Sequence, residues 1–137
     1  MEFAIKTVDA TIDNMHEVLG FLEEELEKHE ASMKNISIIT VCAEEMYSNI
    51  ALYGYPDGNV GQVVTKISFE DNDMEIEFDD TAIPFNPLEH LDPDITLSAE
   101  ERSIGGLGIF MVKKSMDKVE YEYVDGHNIF RMRKAIK

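Results

Sequence analysis

Two short segments in which apolar and polar residues alternate, one directly after the other, place the strongest constraint on the fold. In the first segment, residues 63, 65, 67 and 69 would share one face of a strand. In the second segment, the apolar residues 74, 76 and 78 alternate with Glu or Asp. Asp71-Asn72-Asp73 between them is typical of a turn. A period of two with one apolar face predicts an antiparallel hairpin lying against a core. The core-facing residues would be Val63, Thr65, Ile67, Phe69, Met74, Ile76 and Phe78.

The rest of the chain supplies more strands and three helices. Residues 2–8 read as a strand, and 118–124 with 129–134 as a second hairpin around Asp125-Gly126. Apolar residues at helical spacing predict a helix beginning near 9–13, a second over 36–53 after a loop at 31–35, and a third over 107–116. The stripes of the first two are Ile12, Met15, Leu19, Leu22 and Leu26, then Ile36, Ile39, Ala43, Met46 and Ile50.

The order of these elements predicts the α+β class. We expect a two-layer sandwich, a mostly antiparallel mixed sheet covered on one face by three helices. At 137 residues the chain is expected to form one domain, 1–137. Between 81 and 104 the periodicity disappears and Pro84, Pro87 and Pro93 occur. An irregular stretch of this length in a small domain is more often a functional lid than a plain connection.

Composition excludes several classes of partner. The formal net charge is −16, so nucleic acid and an anionic membrane surface are not expected to bind the chain as a whole. No apolar run approaches a membrane span, and the N-terminus lacks the layout of a signal peptide. The single cysteine, Cys42, fits a reducing cytoplasm. An anionic ligand would have to be met locally, by backbone amides, a cation or a few basic groups.

Three glycines, Gly105, Gly106 and Gly108, stand before and inside the start of the third helix. Glycine lets the backbone approach a ligand, and a helix start offers unpaired N–H groups and the positive end of the dipole. Together they form a candidate anion site, although glycines before a helix are also common in plain loops.

Other polar residues accompany these glycines. Glu45 and Asn49 stand four apart on the second helix, one turn above the other. Asp80 ends the second strand of the hairpin and opens the segment DTAIPFNP. With these motifs in this order, the whole chain resembles the GHKL superfamily of ATPases and kinases, which has the Bergerat ATP-binding fold. Within it, the chain is most similar to the stand-alone anti-sigma-factor serine/threonine kinases.

The resemblance implies roles for the helix pair. Glu45 and Asn49 match the Glu-x-x-x-Asn pattern of the family's N box. Asn49 would be a ligand of Mg²⁺ and would bind ATP through it, since an amide oxygen suits this hard cation. Glu45 would be the catalytic base that deprotonates or orients the incoming hydroxyl. Taken as a pair alone they would be ordinary polar residues on a helix flank, and the other motifs favour the functional interpretation.

The resemblance also implies two further ATP-binding segments. Asp80 matches the aspartate that receives the adenine amino group, and Ala82 stands where the family's Asp-x-Gly pattern has glycine. This departure bears on ATP affinity rather than on the fold. The glycine box, which would close over the phosphates, comprises Gly105, Gly106, Leu107 and Gly108. Arg102 is either a phosphate contact or a loop charge paired with a neighbouring glutamate.

The function implied is that of a cytoplasmic, ATP- and Mg²⁺-dependent protein serine/threonine kinase. Its substrate would be an anti-sigma-factor antagonist of the STAS type, and it would sequester a sigma factor; homodimers are also expected. The main alternative is a nucleotide-binding regulatory module of the same fold with little or no kinase activity, suggested by Ala82. A sensor histidine-kinase domain is a weaker alternative, because it would need a phosphoacceptor helix pair for which 137 residues leave no room.

Overall fold

The computed structural model describes residues 2–89 and 106–137. Five strands and three α-helices follow one another in the order β1, α1, α2, β2, β3, α3, β4, β5, with one-turn 3₁₀ helices at Ile12–Asn14 and Pro87–Glu89. Their bounds are β1 Glu2–Asp9, α1 Met15–Lys28, α2 Met33–Tyr53, β2 Gln62–Glu70, β3 Asp73–Asp80, α3 Gly106–Ser115, β4 Lys118–Val124 and β5 His127–Ala135.

The strands form one sheet in the order β1-β2-β3-β5-β4, and all four pairings among these strands are antiparallel. The predicted α+β class is confirmed, with an antiparallel open sheet and three helices. The predicted core face of the central hairpin is also confirmed, because all seven predicted side chains are buried. They pack with the buried faces of the helices, which include Val18, Leu22, Leu26, Ile39, Ala43, Met46, Tyr47 and Val112.

The opposite face of the sheet carries charged side chains in cross-strand pairs. Arg131 Nε donates to Glu77 Oε1 at 2.9 Å, and its Nη1 donates to Glu122 Oε2 at 2.9 Å. Such partly exposed pairs each contribute only about 0.2–1 kcal/mol. The sheet therefore gains most of its stability from its helix-covered face.

The pairing of β5 with its two neighbouring strands positions polar residues at the site, and a tight turn joins β5 to β4. Asp125 and Gly126 both have positive φ, 51° and 84°, as a type I′ hairpin turn requires. Across the neighbouring pair of strands, Asp80 lies opposite Asn128. Residues 128, 130 and 132 alternate onto the buried face, so this register brings two polar side chains together at the end of the core.

Several predicted boundaries were wrong by a few residues. Helix α2 begins at Met33 rather than 36, because the Ser32 hydroxyl caps it by accepting from Asn35 N at 3.1 Å. Strand β5 is longer at both ends than predicted, and α3 is shifted one residue toward the N-terminus. Most of the predicted lid lies outside the described residues, so the lid and the single domain stay predictions. Among the described helices, none has the length and apolar character to cross a membrane.

Candidate functional site

A cavity of about 380 Å³ opens between α2, the segment that follows β3, and the ends of α3, β4 and β5. Its walls are mainly apolar, and the polar side chains that contribute are Asn49, Asp80 and Asn128, with the tyrosines Tyr53 and Tyr121. A cavity of this size and character is typical of a small-molecule site. The other lining residues are Met46, Ile50, Gly54, Ala82, Ile83, Pro84, Phe85, Pro87, Ile109 and Phe130.

Asp80, the last residue of β3, lies at one end of this cavity and is only 4% exposed. Its Oδ1 accepts two hydrogen bonds, from Ala82 N at 3.0 Å and from Asn128 Nδ2 at 3.1 Å. Its Oδ2 accepts none from the described residues. Burial raises the pKa of this carboxyl, and the two hydrogen bonds oppose the rise. The free oxygen is an acceptor available to a ligand.

Asn128 was missed by the sequence analysis. Besides Asp80, its Nδ2 contacts Ala82 O at 3.1 Å and Ile83 O at 3.0 Å, while its Oδ1 accepts from Phe85 N at 3.2 Å. The Tyr121 hydroxyl also donates to Oδ1. One signal could have found it: Asn128 is a polar residue at a core-facing position of an alternating strand.

Ala82 packs against the glycine that ends α2. A Cβ on Gly54 would lie 2.6 Å from Ala82 Cβ and 2.5 Å from Ile50 O. The backbone of Gly54 has an ordinary helical φ of −74°, so glycine is needed there for close approach and not for its conformation. The space for the Ala82 methyl group is therefore supplied by the missing side chain of Gly54.

Asn49 and Glu45 both lie on α2, one turn apart. Asn49 lines the cavity, and its Nδ2 is buried without a hydrogen-bond partner among residues 2–89 and 106–137. Glu45 does not line the cavity, and its carboxylate lies against the first turn of α3, where a Cβ on Gly108 would collide with Oε2. A carboxylate is stabilised near a helix N-terminus by the dipole.

The structure thus brings together five of the residues predicted from the sequence: Glu45, Asn49, Asp80, Ala82 and Gly108. Helix α3 begins at Gly106, and Leu107 belongs to its first turn. Two further predicted residues, Arg102 and Gly105, lie outside the described ranges. The roles of all nine in ATP binding or catalysis stay predictions.

The chain is thus an α+β domain with an open antiparallel sheet covered by helices and a buried carboxylate lining an apolar cavity. A sequence profile of the histidine kinase-like ATPase domain matches residues 8–134. The chain therefore belongs to the histidine kinase-like ATPase domain family. This membership implies nucleotide binding.

Two individual relatives agree with the family. The serine/threonine-protein kinase BtrW of Bordetella bronchiseptica is 22% identical over 90 residues, which cover 66% of this chain and 63% of BtrW. The crystal structure of the RsbU and RsbW domains of Rv1364c from Mycobacterium tuberculosis superposes with a TM-score of 0.69 at 16% identity. That match covers 99% of this chain and 32% of the other, so this chain spans less than two thirds of either relative.

The residues present fit a nucleotide with its metal ion. Asp80 offers a free, buried acceptor oxygen at one end of the cavity. Asn49 offers an amide whose nitrogen has no partner in the described part of the chain, and an unpaired buried donor is costly until a ligand satisfies it. An amide can donate to a phosphate oxygen through nitrogen and bind a hard cation through oxygen.

Proposed function

We propose that this chain binds ATP with Mg²⁺ in the cavity and transfers the γ-phosphoryl group to a Ser or Thr hydroxyl of a partner protein. The observation that carries the proposal is the buried Asp80, whose Oδ2 accepts no hydrogen bond from the described residues and which lines the same apolar cavity as Asn49. The similarity to BtrW, named a serine/threonine-protein kinase, supports the type of reaction.

Each residue has a physical task in this proposal. Asp80 Oδ2 accepts the adenine amino N–H, which selects adenine because guanine presents a carbonyl at that position. The apolar walls exclude water from the base. At the other end, Asn49 orients the phosphates, and Mg²⁺ when bound neutralises part of their charge.

The start of α3 supports the phosphate end. The N–H groups of its first turn, from Gly106 to Gly108, have no partner within the helix itself, and they offer positive potential in a protein whose formal net charge is −16. Gly105 and Arg102 would extend this contact, and residues 81–104 would close over the ligand. Glu45 takes the proton of the attacking hydroxyl, which requires its carboxylate to face the partner's side chain.

Partners and cellular setting follow from the same proposal. The phosphorylated partner would be a STAS-type anti-sigma-factor antagonist, and the nucleotide-bound form would sequester a sigma factor. We also propose a homodimer and a cytoplasmic location. Similarity to an RsbW domain structure and to BtrW supports a regulatory partner.

The test is titration of Mg²⁺·ATP by calorimetry, followed by transfer of labelled γ-phosphate to a candidate antagonist. Glu45→Gln should lower the transfer rate about a hundredfold or more while leaving ATP affinity within about twofold. Its matched control is Glu44→Gln, which makes the same charge change at the neighbouring exposed position and should transfer normally. Normal transfer by Glu45→Gln would remove the base assignment, and no ATP binding by the unaltered chain would remove the whole proposal.

A second candidate function is a nucleotide-binding regulatory module without phosphoryl transfer. The position of Glu45 favours it, because that carboxylate lies against the first turn of α3 and outside the cavity lining. There it would stabilise the helix start and not act as a base. ATP binding without transfer to any antagonist, together with a lower melting temperature of Glu45→Gln, would support this function.

A further inference from the structure

One buried amide, that of Asn128, connects the carboxylate of Asp80 to the wall of the cavity. Asn128 is 6% exposed, and its two Nδ2 hydrogens are shared among three acceptors: Asp80 Oδ1, Ala82 O and Ile83 O. Its Oδ1 accepts from Phe85 N and from Tyr121. We call these contacts the Asn128 network. They bind β3, β4, β5 and residues 82–85 to a single side chain.

The partners leave one orientation for this amide. A carboxylate oxygen and two backbone carbonyls can only accept, so they require the NH₂ group. The backbone N–H of Phe85 can only donate, so it requires the carbonyl oxygen. A flipped amide would set its oxygen against the three acceptors and its NH₂ group against the N–H of Phe85. The orientation is therefore determined by chemistry.

This fixed orientation determines which Asp80 oxygen a ligand meets. Asn128 Nδ2 and Ala82 N both donate to Oδ1, and a carboxylate held by two donors on one oxygen cannot turn without losing both bonds. Oδ2 is then the oxygen left for an incoming N–H. The same amide holds the backbone of residues 82–85, and Ala82, Ile83 and Phe85 line the cavity.

We propose that Asn128 is a positioning residue for base recognition: it aims Asp80 Oδ2 and holds the adjoining wall, so discrimination between purines depends on it. This inference rests on the proposed function, since it concerns the same cavity and an adenine nucleotide. Asn128 acts through Asp80 and the 82–85 backbone. A residue that only stabilised the sheet would change affinity for all purine nucleotides together.

The experiment compares ATP with purine riboside triphosphate, which lacks only the 6-amino group. Calorimetry on the full chain with Mg²⁺ should show that the unaltered protein prefers ATP by roughly tenfold to a hundredfold, the value of one hydrogen bond to a charged acceptor. In Asn128→Asp, which keeps the shape but sets an oxygen against three acceptors, this preference should fall to about twofold or less. Asn72→Asp is the matched control, because it makes the same chemical change at an exposed turn residue outside the cavity lining; it should keep the preference within about threefold.

The results distinguish a failure of this inference from a failure of the proposed function. If Asn128→Asp binds both nucleotides more weakly but with unchanged preference, Asn128 is a structural residue and the inference fails while the proposed function stands. If the unaltered protein binds neither nucleotide, both fail. Thermal unfolding checks each variant, and Asn128→Ser, which retains a donor but cannot reach all three acceptors, replaces Asn128→Asp if that variant does not fold.

Discussion

Two parts of the site, which we call the Asp80 end and the Asn49 end, differ in how firmly hydrogen bonds hold their polar side chains. At the Asp80 end, comprising Asp80, Ala82 and Asn128, Oδ1 of the carboxylate and both groups of the amide are hydrogen-bonded. At the Asn49 end, comprising Asn49, Glu45 and Gly108, the amide nitrogen of Asn49 has no partner among the described residues. Both ends therefore leave one polar atom for a ligand, Asp80 Oδ2 and Asn49 Nδ2, but only the Asp80 carboxylate is already held in place by hydrogen bonds from the described residues.

This difference indicates how binding and chemistry would be divided. A preorganised end gives selectivity at little cost on binding, because nothing has to be ordered. An unsatisfied end gains most when the ligand arrives, since a buried donor without a partner costs about 1–3 kcal/mol. The comparison predicts that substitutions at the Asp80 end change affinity and the fold, and that those at the Asn49 end change affinity or transfer with little effect on folding.

The largest effect is expected for Asp80→Asn. The amide would keep the acceptor for Ala82 N and Asn128 but would present a donor to the adenine amino group. ATP affinity should fall about a hundredfold, or about 3 kcal/mol, by calorimetry. An unchanged affinity would show that the base does not bind at this end.

The same variant gives a pH test. Burial raises the pKa of Asp80 above the usual 3.8, so ionisation is less favourable in the folded state than in the unfolded state. Its contribution to stability is present below 3.8 and is lost as pH rises through the raised pKa. The melting temperature of Asp80→Asn relative to the unaltered chain should therefore increase across that window. A difference that stays flat with pH would contradict the shift.

Two glycines, one at each end, give a matched pair. Gly54→Ala puts a methyl group 2.5 Å from Ile50 O and 2.6 Å from Ala82 Cβ. Because the helix backbone cannot move away without losing hydrogen bonds, we expect the free energy of unfolding to fall by about 2 kcal/mol. The three nearest atoms to a Cβ on Gly108 all belong to the flexible side chain of Glu45, and alanine favours a helix over glycine by about 1 kcal/mol. Gly108→Ala should fold at least as well, and displacement of Glu45 should slow phosphoryl transfer. Equal destabilisation in urea unfolding would contradict the comparison.

A smaller effect is expected for Asn49→Ala. Affinity for ATP in the presence of Mg²⁺ should fall about tenfold, about 1.4 kcal/mol, because in the proposed function Asn49 supplies one ligand for the metal and one donor. Stability should not fall, since the Asn49 nitrogen has no hydrogen bond within the described ranges to lose. Asn35→Ala, near the start of the same helix, is the control and should bind ATP normally. A clear drop in melting temperature for Asn49→Ala would show that this end is also preorganised.

The smallest effect concerns a buried hydroxyl far from the cavity lining. Thr65 is fully buried in β2, and its Oγ1 has no partner in the described part of the chain. Thr65→Val should raise the free energy of unfolding by about 1 kcal/mol and leave ATP affinity unchanged, as measured by urea unfolding and calorimetry. A loss of stability would show that the hydroxyl is satisfied, and the same doubt would then extend to Asn49.

Sequence periodicity predicted the fold because each signal is local. The alternation of 63–69 and 74–78 determines which face is buried, and the spacing of four places Glu45 above Asn49. What could not be predicted depends on distant contacts. The closeness of Gly54 to Ala82 and of Gly108 to Glu45 requires the packing of whole elements, and the Asn128 network requires the pairing register of β3 with β5. The α2 boundary was wrong because the Ser32 cap was not recognised.

The pairing of Asp80 with Asn128 also makes the cavity a check on correct folding. Side chains on a strand alternate between faces, so a slip of one residue between β3 and β5 would send the carboxylate and the amide to opposite sides of the sheet. A mispaired chain would still have strands and helices, but it would have no acceptor aimed at a ligand. Ligand binding would therefore draw the population toward the correctly paired sheet, and nucleotide added during refolding would raise the yield of the native form.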